Sequence, residues 1–164
     1  MVSRDELLEN LKQSGDEVRN GVAPLTDSDL ARGRYENGWN GQQILAHLAS
    51  IEWTYPRLIE MARESPADEA PSGGGVTRAA GGPVISDYNE RQVAKRAETS
   101  RDELLDEFNK NRAATIAAVE ATQEDLLAKR VKSAGGADGA LADVLQFVAV
   151  DHVRGHLQDL TAKP

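Results

Sequence analysis

Apolar positions recur three and four residues apart along most of this chain, the spacing of helices rather than strands. Leu7, Leu8, Leu11 and Val18 follow Ser3-Arg4-Asp5-Glu6. That phrase is a capping box, in which the Ser side chain caps and the Glu three residues on reaches back. A first helix is expected over about 4–20, stopped by Asn20-Gly21. Residues 21–39 read as a connection, with a short helical turn at Thr26-Asp27-Ser28-Asp29-Leu30. Asn40 then caps a second helix whose apolar face carries Ile44, Leu48, Ile51, Tyr55 and Leu58, with His47 on the same side. Pro56 would clash with the Glu52 carbonyl, so a kink or break is expected before the helix resumes to about Glu64.

Residues 65–87 are rich in Gly, Pro, Ala and Ser and read as a long, mobile loop. Loops of that length in a compact domain are usually functional or disordered. A short helix is expected near 89–97 and a third long helix over about 101–121. The latter opens with a second capping box, Ser100-Arg101-Asp102-Glu103, and buries Leu104, Leu105, Phe108, Ile116 and Val119. Gly135-Gly136-Ala137-Asp138-Gly139 is a further break, and a last helix runs from about Ala140 to Ala162. No segment alternates with period two for long enough to predict a strand. The fold class is all-α: four principal helices around one core, in a single domain spanning 1–164.

The phrase Ser-Arg-Asp-Glu-Leu-Leu occurs at 3–8 and again at 100–105, and Thr26–Leu30 is echoed by Thr122–Leu126. Helix starts reuse good capping phrases, which explains the echo cheaply. The sharper alternative is two related helical hairpins that bring the two histidine-bearing helices side by side.

Composition narrows the function classes. The chain has 164 residues and a net charge of −8, which argues against nucleic acid or an anionic membrane as partner. It has no cysteine, so disulfides, thiolate ligands and a cysteine nucleophile are all excluded. No apolar run reaches the ~18 residues of a membrane span, and the N-terminus has no signal-peptide pattern. A cytoplasmic location is the expectation.

The chain has 3 histidines. On the last helix, Leu141, Leu145, Val148, His152, His156 and Asp159 fall on successive i+3 or i+4 steps. An i,i+4 pair of imidazoles can chelate one cation at metal–nitrogen distances of about 2.0–2.1 Å. His47 faces inward from another helix and completes a three-point site with open coordination positions. A lone histidine on an apolar face is more often a satisfied core residue. Three on inward faces, with none left for a loop, shift the balance toward a metal. Asp159 either orients an imidazole or is a solvated carboxylate. Asp151 and Arg154 read as surface groups, Trp39 and Trp53 as packing residues. Glu52 is turned away from His47 and could pair with a cation from a neighbouring helix.

Three stretches carry a resemblance. "GWNGQQILAHLASIEW" (38–53) looks like the second helix of the DinB-like superfamily, and "DVLQFVAVDHVRGHLQDL" (143–160) like its last helix. "DYNERQVAKRAETSRDELLDEFNKNRAATIAAV" (87–119) is similar to the middle of the related mycothiol-dependent maleylpyruvate isomerase N-terminal domain. The resemblance implies an up-down-down-up four-helix bundle, often a homodimer, that binds zinc, nickel or a similar divalent ion. By match, His47, His152 and His156 would be the ligands. The isomerase branch has a carboxylate where this chain has His152, which leans toward the plain three-histidine DinB-like pattern. The chain also lacks the C-terminal domain of the longer isomerases.

Characterised relatives use mycothiol or bacillithiol in transferase or isomerase reactions. The expectation is therefore a metal-dependent enzyme acting on a low-molecular-weight thiol and an electrophile, with the Gly-rich loop as a lid. The alternatives are a metal-dependent hydrolase and a non-catalytic, stress-associated binding module. Ring nitrogens of His47 more than ~6 Å from those of the pair would rule out a shared ion.

Overall fold

The computed structural model describes residues 1–34, 38–65, 76–78 and 83–162, with backbone alone at 78 and 83–85. The first helix, α1, is Arg4–Val22; the Ser3 hydroxyl accepts the Glu6 N–H at 3.3 Å. α2 (Asp27–Ala31) and α3 (Gly41–Ile51) each start with a reciprocal capping box, Thr26 with Asp29 and Asn40 with Gln43. Such caps are worth about 1 kcal/mol each, enough to fix where a short helix begins.

The chain breaks at Glu52-Trp53 and restarts as α4, Thr54–Glu64. Pro56 therefore sits in the first turn of a new helix, where a missing N–H leaves no bond unmade. Strand β1 is Thr77–Arg78 and α5 is Pro83–Ala94, so part of the stretch expected as a loop is structured. Pro83 takes the first helical position, where proline is at ease. Residues 66–75 and 79–82, including both Gly-rich runs, lie outside the described residues.

α6 is Arg101–Glu120, opened by the Ser100–Glu103 capping box, and α7 is Glu124–Leu127. Strands β2 (Arg130–Lys132) and β3 (Ala137–Ala140) follow. β3 pairs antiparallel with both β1 and β2, giving the order β1-β3-β2. Gly136, at φ 86°, makes the turn between β2 and β3. Strands this short cannot show alternation, so the small sheet was invisible to periodicity. The last helix has three parts: α8 (Leu141–Leu145), a π-helical segment (Gln146–Asp151) and α9 (His152–Thr161).

Side-chain contacts fix the topology. α1 and the last helix run parallel: Asn10 meets Gln146, and Glu17 meets Arg154. α1 and α6 run antiparallel, since Arg112 reaches Ser14 while Arg101 reaches the Leu25 carbonyl. The α3–α4 helix is parallel to α6, through Gln42 to Thr99 and Glu52 to Arg112. It is antiparallel to the last helix, through His47 to His152 and Tyr55 to Val148. The result is an up-down-down-up four-helix bundle, as expected.

The core is not one apolar mass. One cluster gathers Leu7, Leu11, Tyr55, Ile59, Val119, Leu141 and Leu145. The other gathers Val18, Ile44, Leu48, Leu104, Phe108, Val153 and Leu160. Between them, at mid-height on the helices, lies a buried polar layer: Ser14, Glu52, Arg112 and Thr115. Among the described residues no helix is long and apolar enough to cross a membrane.

Candidate metal centre

The three histidines meet between α3 and α9. His47 comes from a regular helix packed on three sides and is only 4% exposed. His152 and His156 are one turn apart on α9 and partly buried. The Nε2 atoms of His47 and His152 are 3.4 Å apart. One ligand nitrogen from each of the three rings lies within 4.8 Å of the others. Ring centroids are separated by 5.7, 5.1 and 4.5 Å, each pair nearly edge to face. The ~6 Å limit is therefore met with room to spare.

Bonds of about 2.0–2.1 Å set tetrahedral ligand nitrogens roughly 3.3 Å apart. The closest pair already has that spacing, and the widest needs at most about 1.5 Å of side-chain movement. Burial, with the His156 and His152 rings adding to it, pushes the His47 pKa down to about 3. Burial also lowers His156, with Asp159 opposing. Both imidazoles are thus neutral at pH 7, the form that offers a lone pair. His47 Nδ1 is buried with no hydrogen-bond partner among the described residues. A buried polar atom left so costs about 1–3 kcal/mol. The donor set therefore fits a divalent ion that prefers imidazole, among them Zn, Ni, Fe and Cu.

Asp159 stands outside the converging group: its Oδ2 is 3.9 Å from His156 Nδ1, near enough to bias the ring by charge. Trp39 packs beside His47, centroids 4.9 Å apart, and its Nε1 donates to Glu90 Oε1 of α5 at 2.9 Å. Trp53 does not pack; it sits at the α3–α4 break and is 49% exposed. Arg154 is held by Glu17 at 2.8 and 3.0 Å, and Asp151 accepts from Gln146.

Glu52 does pair with a cation of a neighbouring helix, Arg112 of α6. Arg112 NH2 donates to Glu52 Oε2 at 2.9 Å. Arg112 Nε lies 2.7 Å from Oε1, but its N–H is not aligned for a hydrogen bond, so this second arm is a charge contact only. Burial pushes the Glu52 pKa up to about 7, with Arg112 pulling it down. Arg112 NH1 donates to Ser14 Oγ and the Leu11 carbonyl, and NH2 also reaches the Ala149 carbonyl. Sequence reasoning missed Arg112, yet a signal was present. It lies on the stripe Leu104, Phe108, Thr115, Val119, where a charge is out of place.

A bundle of this order, with a histidine from its second helix meeting an HxxxH pair from its last, defines a DinB-like protein. Within that class, the chain belongs to the family described as the mycothiol maleylpyruvate isomerase N-terminal domain, which it matches over residues 11–161. That match is to the branch away from which His152 pointed, so the histidine at that position does not separate the two patterns. The structure is similar to that of YfiT from Bacillus subtilis, described as "a probable metal-dependent hydrolase with an unusual four-helix bundle topology". The TM-score is 0.72 at 14% identity, covering 96% of this chain and 83% of that one. No curated protein matches the sequence.

Proposed function

We propose that this protein is a metal-dependent enzyme that activates a low-molecular-weight thiol of the mycothiol or bacillithiol type for S-transfer or isomerisation. The observation that carries the reading is the convergence of three imidazoles in a chain with no thiol of its own. His47, His152 and His156 are the ligands, and zinc or nickel is the ion. Bound there, the ion supplies Lewis acidity that lowers the pKa of a thiol or water on its open side. The three histidines hold and orient it, and Asp159 biases the His156 ring. Trp39 walls one flank of His47 and keeps bulk water off that ring. Among the described residues no carboxylate joins the group. The proton lost by the thiol therefore leaves to solvent or to the incoming substrate.

Elemental analysis of untagged protein tests the first half of the reading; about one zinc or nickel per chain is expected. Conjugation of an electrophile by mycothiol or bacillithiol tests the second half. A metalloprotein indifferent to both thiols would sink the transferase assignment. The description of YfiT favours one other use of the same ligands, hydrolysis by an activated water. Turnover of ester or amide substrates without any thiol would select it.

A further inference from the structure

The histidine pair lies just after a defect in its own helix. The His152 N–H donates to the Phe147 carbonyl, five residues back, instead of the Val148 carbonyl four back. The carbonyls around this point are taken by side chains of other helices. The Tyr55 hydroxyl donates to Val148 O at 2.7 Å, and Arg112 NH2 donates to Ala149 O at 2.8 Å. The same Arg112 nitrogen also donates to Glu52, which anchors that edge of the guanidinium.

A π turn adds one residue to a turn, which rotates everything downstream by about 100° relative to an unbroken α-helix. The burial pattern shows the effect. Unbroken, Leu141, Leu145, Val148, His152 and His156 would form one stripe pointing into the core. Instead Ala149, Val150, Val153 and Leu160 are fully buried, while His152 and His156 sit at the edge of the stripe, partly open beside His47. The defect thus moves two imidazoles from the middle of the bundle toward its surface.

We propose that Tyr55 and Arg112 are positioning residues of the histidine cluster: by occupying the Val148 and Ala149 carbonyls they hold the π turn that sets the phase of His152 and His156. The functional meaning of this rests on the metal reading above, but the positioning itself does not.

Two measurements on the full-length protein decide it. In metal-free protein, the nuclear Overhauser contact between the His47 and His152 rings should be present and should weaken in Tyr55→Phe and Arg112→Met. In Co²⁺ titrations followed by ligand-field absorption, both variants should bind about 10- to 100-fold more weakly, the usual effect of losing a supporting partner. Leu104→Ala, a core change away from the π turn, should lower the melting temperature and leave both readings unchanged. Tyr55→Phe loses only a hydroxyl and keeps the test open where Arg112→Met does not fold. Ring contacts and Co²⁺ affinity unchanged in a folded Tyr55→Phe would overturn the proposal. Wild-type protein with the ring contact but no Co²⁺ binding would overturn the metal reading and leave the positioning role to the ring contact.

Discussion

Two polar clusters are buried among the described residues, and they differ in whether opposite charges meet inside them. Around Arg112, the guanidinium reaches a carboxylate, two carbonyls and a hydroxyl from three other parts of the chain. Around His47, three rings face one another and the buried Nδ1 of His47 has no partner among the described residues. Arg112 Nε and Glu52 Oε1 make no hydrogen bond either, but they are opposite charges 2.7 Å apart, whereas His47 Nδ1 has no such counterpart among the described residues. The first cluster is closed and structural. The second turns one ligand nitrogen from each of its three rings toward a shared centre.

The comparison breaks most visibly at the open cluster. His156→Ala should abolish stoichiometric metal, read by elemental analysis, while far-ultraviolet circular dichroism keeps its helical signature. Its counterpart at the closed cluster is Arg112→Ala, which strands Glu52 as an unpaired buried acid. That should cost about 3–5 kcal/mol in urea unfolding with no requirement for metal. Glu52→Gln combined with Arg112→Met should recover part of the loss, because an apolar replacement of the whole pair removes the desolvation cost as well.

Acid sharpens the contrast. The folded-state pKa of His47, about 3, is below its ordinary value of 6.5. The unfolded chain takes up a proton first, so this stability is present above pH 6.5 and lost as the pH falls toward 3. In metal-free protein the loss should be on the order of 5 kcal/mol by denaturant titration at stepped pH, and His47→Leu should remove the dependence. The smallest effect expected is optical. Trp39 touches His47 and Trp53 faces solvent, so metal addition should change the fluorescence of Trp53→Phe and leave Trp39→Phe nearly unaltered.

Much of this was written in the sequence. Ser3, Thr26, Asn40 and Ser100 cap helices where their phrases said they would, because capping is a local interaction. His47, His152 and His156 were legible as a set because spacing on a helix determines which side chains share a face. The π turn was not. Leu141 to Asp159 fit an unbroken helix equally well, so local periodicity saw no defect. What creates it is Tyr55 and Arg112, distant in sequence. Thr122 echoed Thr26 in the chain, yet the cap position of α7 belongs to Gln123 and carries no side-chain bond. The histidine-bearing helices do lie side by side, as the sharper reading of the echo required.

The polar layer at mid-height also bears on how the molecule comes apart. Arg112 ties together α1, the α3–α4 corner, α6 and the π turn, so no helix can peel away without exposing a charge to an unfinished interior. Such an arrangement forbids partial solutions. Amide protons in all four helices should exchange at nearly one rate, as a single cooperative unit, with fraying confined to the outer elements.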